Sequence, residues 1–82
     1  MMINPVRSIR EELDLSVDDL CLIADCSYMT VSRIENGKLK SVPQKLLKTF
    51  DRLGFDSRDV EEAYASWRKA KAQQLIEAYK KN

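Results

Sequence analysis

Eighty-two residues are enough for one domain with a modest core. With 44% hydrophobic and 33% charged residues the chain is too apolar for a disordered polymer, and no apolar run approaches the roughly 18–20 residues of a membrane span. The net charge of +1 excludes a bulk polycation but hides an asymmetry: residues 1–36 hold three arginines against seven acids, and residues 37–82 hold eleven basic residues against six. Any nucleic-acid contact must therefore come from a local patch and from helix N-termini.

Two glycines and two prolines among many Leu, Lys, Glu and Ala residues favour an all-α chain. Met1 to Arg10 shows no signal-peptide core, so a cytoplasmic location is expected. Cys21 and Cys26, with no histidine anywhere, are too few to hold a structural zinc, and no metal or other cofactor is expected. They read as small apolar packing residues.

Asn4-Pro5 opens a first helix through Leu13, with Pro5 in the first turn, where its missing donor costs nothing. Val6, Ile9, Arg10 and Leu13 share one face. Ser16 caps a second helix whose first turn carries Asp18 and Asp19, as the helix dipole favours. Leu20, Ile23 and Ala24 are its inner stripe, and it ends near Asp25. Ser27 caps a third helix over Tyr28 to Asn36, with Val31 and Ile34 inward, and Gly37 stops it. Lys38-Leu39-Lys40 is a basic connector. Ser41-Val42-Pro43-Gln44 matches a capping box for a fourth helix, with Leu46, Leu47, Phe50 and Leu53 as its apolar face and Gly54 as its end. Asp56 or Ser57 starts a fifth helix running to about Lys81, roughly 37 Å long. No repeat, linker or low-complexity tract interrupts residues 1–82, so one domain is expected.

Two short helices joined around Asp25-Cys26-Ser27 make a helix-turn-helix over residues 16–36. Such a unit lays its first helix across a DNA backbone and the N-terminal part of its second helix at base edges. The unit needs small inward residues at the crossing, which Cys21, Ala24 and Cys26 supply, and short polar ones at the second helix start, which Ser27 and Thr30 supply.

From Ile9 to Phe55 the chain resembles the Cro/repressor-type (XRE) helix-turn-helix family. Ser16, Leu20 and Cys21 fit its first pattern. Val31-Ser32-Arg33-Ile34-Glu35-Asn36-Gly37-Lys38 fit its recognition-helix signature, and Leu46, Leu47, Leu53 and Gly54 its third part. The resemblance implies a five-helix repressor-like domain, to which this chain adds an extended C-terminal helix. It also implies a DNA-binding transcriptional regulator of a phage, plasmid or bacterial control system, with double-stranded DNA as partner. By the same resemblance Ser27, Tyr28, Met29, Ser32 and Arg33 fall at groove-facing positions. Lys38 and Lys40 fall where phosphate contacts are usual, with Thr30 expected beside them, and Arg10 and Glu35 fall at a structural ion pair. Val17 stands where the family commonly has a phosphate-binding glutamine, and Asp25 stands at the usual turn glycine.

In the fifth helix Val60, Ala63, Tyr64 and Trp67 are expected to close the core. Trp67, Leu75, Ile76 and Tyr79 are expected to serve a homodimer or another protein partner. A second class of function stays open: a protein–protein module, such as an antitoxin or adaptor subunit, built on the same fold. An enzyme is not expected, since the chain has no histidine, no carboxylate pair in an apolar setting and no glycine-rich phosphate loop. No small-molecule substrate or membrane contact is expected either.

Overall fold

Short polar side chains and left-handed turns set where the helices start and stop, because each helix end leaves orphan backbone groups to satisfy. In the computed structural model, which describes residues 3–81, α1 (Pro5–Glu12), α2 (Val17–Ala24), α3 (Tyr28–Glu35), α4 (Gln44–Arg52) and α5 (Ser57–Tyr79) follow in chain order. No strand occurs among the described residues. Asn4 caps α1 by accepting the Val6 and Arg7 amides at 2.9 and 3.2 Å. Ser16 and Asp19 form a reciprocal capping box at the start of α2. Ser27 caps α3 by accepting the Thr30 amide, and Asp56 caps α5 by accepting the Arg58 amide.

The start of α4 differs from the expected capping box at Ser41. The helix begins two residues later, after an extended Pro43, and has no side-chain cap. The cause is Pro43 itself: a residue before proline is pushed out of the helical region, so Val42 cannot be the first helical residue. Val42 instead turns its side chain into the core, where it is 4% exposed. At the far end, α5 stops at Tyr79, two residues before Lys81.

One apolar cluster joins all five helices. Val6 and Ile9 of α1, Leu20 and Ala24 of α2, Val31 and Ile34 of α3, Leu46, Leu47 and Phe50 of α4, and Val60, Tyr64 and Trp67 of α5 are buried in it. Ile23 is only half-buried, Leu13 and Leu53 lie at its rim, and Ala63 faces outward. Thr49, a polar residue in the middle of α4, is also buried. Its hydroxyl donates to the Lys45 carbonyl at 2.8 Å, which satisfies the group within its own helix. Trp67 belongs to this core, at 8% exposed, so it cannot serve as the partner-facing residue expected of it. Among the described residues no helix is long and apolar enough to cross a membrane.

Candidate nucleic-acid interface

The turn between α2 and α3 is three residues long. Asp25 takes the left-handed conformation at φ 53°, the geometry that glycine would adopt most easily. The Cys26 amide donates to the Cys21 carbonyl at 3.0 Å and closes the end of α2. Lys45 of α4 reaches the Asp25 carbonyl at 3.1 Å and its carboxylate at 3.5 Å. Burial pushes the Cys21 and Cys26 thiols above their usual range, and both stand free beside the turn.

With Val31 and Ile34 fully buried, α3 turns Tyr28, Met29 and Arg33 outward, and its cap Ser27 is exposed as well. Thr30 and Ser32 are half-buried. The Ser27 and Thr30 hydroxyls are 3.0 Å apart and share a hydrogen bond. The Asn36 side chain donates to the Ser32 carbonyl at 2.8 Å. The Arg33 side chain makes no hydrogen bond or ion pair among the described residues, while its carbonyl accepts the Lys38 amide at 2.8 Å.

The inner side of α3 is held by charge. Arg10 grips Glu35 with two parallel hydrogen bonds, Nε to Oε2 at 2.8 Å and Nη2 to Oε1 at 3.0 Å. Its third nitrogen, Nη1, donates to the Leu15 carbonyl at 2.9 Å, so one side chain ties α1, the α1–α2 turn and α3. The hydrogen bond to Glu35 stabilises the charged form and raises the Arg10 pKa further. Arg7 adds a second cation 3.4 Å from Glu35.

Asn4 has a second role that the sequence did not disclose. While its oxygen caps α1, its amide nitrogen donates to the Ile34 and Glu35 carbonyls at 2.9 and 3.0 Å. It thereby closes the C-terminal end of α3. The Asn4-Pro5 pair signals the cap but carries no sign of the distant carbonyls.

The connector after α3 is fixed by α5. Tyr64 donates its hydroxyl to the Leu39 carbonyl at 2.6 Å, and Arg68 Nε donates to the Gly37 carbonyl at 3.0 Å. The Trp67 ring lies against Gly37, where an added Cβ would stand 2.7 Å from the ring. Lys38 and Lys40 flank Leu39 on this anchored segment, and both are exposed. An open concavity of about 620 Å³ beside it gathers Arg7, Lys38 and Lys71. Glu35 lines the same concavity but is neutralised by Arg10. No cluster of side chains suited to a metal ion occurs among the described residues.

No protein-family model matches the chain, and no characterised protein or solved structure is significantly similar to it.

Proposed function

We propose that the protein is a sequence-specific DNA-binding regulator of transcription, acting in the cytoplasm, with α3 as the helix that enters the major groove. The observation that carries this reading is Arg33. It stands unpaired on the outer face of a short helix whose inner face is locked by the Arg10–Glu35 ion pair. A free arginine on a rigid helix is the side chain best suited to grip guanine bidentately. Tyr28 and Met29 offer apolar contacts to thymine methyl groups, with Ser27 and Ser32 as short polar neighbours. Lys38 and Lys40 supply phosphate contacts, with Thr30 at the helix start. Selection of bound sites from a random DNA pool at stated salt tests the reading. Enrichment of one motif supports it, and an unenriched pool overturns it.

Two variants separate the roles. Arg33→Ala is expected to weaken binding to the selected site by about 1–3 kcal/mol and to relax preference at one base position. Equal losses on selected and scrambled DNA would make Arg33 a phosphate contact instead. Lys38→Ala with Lys40→Ala is expected to weaken binding to every sequence and to lower the salt slope by roughly one unit per contact removed. An unchanged slope would exclude both lysines from the interface.

A second reading, a protein–protein module of the antitoxin or adaptor kind, is favoured by one observation. The α2–α3 unit exposes Leu22, Tyr28 and Met29 at 83%, 61% and 60%, on the acidic half of the chain. Large exposed apolar side chains suit a protein partner, and acids repel phosphates. Salt-dependent DNA binding decides between the two.

A further inference from the structure

α5 is longer than the core it closes. Trp67 is its last buried residue, and every residue from Lys71 to Lys81 is exposed. The molecule is drawn out to 47 × 23 × 21 Å. Its Cα radius of gyration is 13.4 Å, against about 12 Å for a compact chain of this size.

The projecting half is patterned. Arg68, Ala72, Leu75 and Tyr79 recur at spacings of four, three and four, the seam of a two-stranded coiled coil. Ile76 lies beside it. Leu75, Ile76 and Tyr79 are 50%, 58% and 81% exposed. At its core end the seam runs into a groove of about 320 Å³ between α5 and the connector, lined by Gly37, Lys38, Arg68, Ala72 and Leu75.

The geometry points to a second copy of this chain as the occupant, packed antiparallel along α5, with Tyr79 of each copy seated in the groove beside Arg68 of the other. The seam is its own complement in that direction and in no parallel one. A parallel pair in register sets Arg68 against Arg68. An antiparallel pair about a two-fold axis between Gln73 and Gln74 sets Arg68 against Tyr79, where a guanidinium stacks on an aromatic face. It also sets small Ala72 against large Leu75. On the flanks Lys69 meets Ile76 and Lys71 meets Ala78, so lysine stems cover apolar groups and no like charges face each other there.

The area limits the affinity. Four seam residues and their flanks fall short of the roughly 800 Å² per partner of a standard stable interface, so the dimer is reversible and not obligate. Nothing in this pairing depends on nucleic acid, and its test uses none.

Sedimentation equilibrium of the full chain across the micromolar range is expected to show a reversible monomer–dimer exchange. Tyr79→Lys and Leu75→Asp are each expected to weaken it by about tenfold or more, because Leu75 fills the central layer and Tyr79 the groove beside Arg68, where a lysine would face a like charge. Both residues are outside the core, so helical circular dichroism and thermal midpoint at low concentration stay unchanged. Orientation is read in a Cys21→Ala/Cys26→Ala background. Lys71→Cys and Ala78→Cys proteins, mixed under mild oxidation, should form a mixed disulfide dimer, while each alone should not self-link. A chain that stays monomeric, a dimer indifferent to Leu75→Asp, or self-linking in place of the mixed product overturns the proposal. Binding of a different protein through an otherwise monomeric α5 overturns it too.

Discussion

Glu35→Ala is expected to destabilise the fold by about 3–5 kcal/mol, the range for stranding one member of a buried ion pair. The Glu35 side chain is 5% exposed and Arg10 13%, so the pair lies on the buried side of the division. An exposed pair would be worth only about 0–1 kcal/mol. Removing Glu35 leaves Arg10 with the Leu15 carbonyl as its sole hydrogen-bond partner and Arg7 without its inner counter-charge. Arg10→Met should cost less than Glu35→Ala, because Arg7, 3.4 Å away, still offers Glu35 a counter-charge. Arg10→Met with Glu35→Leu should recover part of the loss, because two apolar side chains leave no charge to desolvate. Urea unfolding of the native protein, Arg10→Met, Glu35→Leu and the double variant measures the coupling. A coupling energy near zero would mean that the pair contributes nothing in solution, and that α3 is held by its apolar face alone.

The parts of this fold that the sequence makes legible are those governed by neighbours in the chain. Ser16, Ser27 and Asp56 cap helices because a short polar side chain reaches its own backbone two or three residues on. The buried stripes of α2, α3 and α4 follow the helical period for the same local reason. Ser41 misleads because its capping pattern is real, yet Pro43 denies Val42 the helical conformation that the pattern needs. Ala63, expected in the core, faces outward for another reason, since alanine suits either face of a helix. The candidate interface residues on α3 and the Arg10–Glu35 pair behind them could be named by resemblance, whereas the rest of their support could not. Asn4, Tyr64 and Arg68 act on backbone carbonyls at the end of α3 and in the connector, and a carbonyl has no letter in the sequence. The spacing of Trp67 from Val60 and Tyr64 marks it as a core residue, but its contact on this connector is a glycine, which offers no side-chain pattern to match.

That contact leads to the second large effect. Gly37→Ala is expected to destabilise the protein by about 2–5 kcal/mol, from two sources that a control separates. At φ +73° a Cβ costs about 1–2 kcal/mol of backbone strain. It would also stand 2.7 and 2.8 Å from two carbons of the Trp67 ring, an overpacking that adds about 1–3 kcal/mol. Gly54 is the control, since it too has a positive φ, +94°, but nothing lies within 4 Å of its added Cβ. Gly54→Ala should therefore cost the strain without the clash. Trp67 cannot simply swing aside, because it is packed in the core with its ring 5.8 Å from that of Tyr64. The connector must then move and pull against the Arg68 and Tyr64 hydrogen bonds that hold it. Trp67→Leu opens room at the cost of a cavity, so Gly37→Ala should cost less in that background than in the native one. The shortfall is expected to be about 1 kcal/mol or more, as for residues in direct contact. Additive losses in the two backgrounds, or equal losses for Gly37→Ala and Gly54→Ala, would show that the Trp67 ring does not set the position of the connector carrying Lys38 and Lys40.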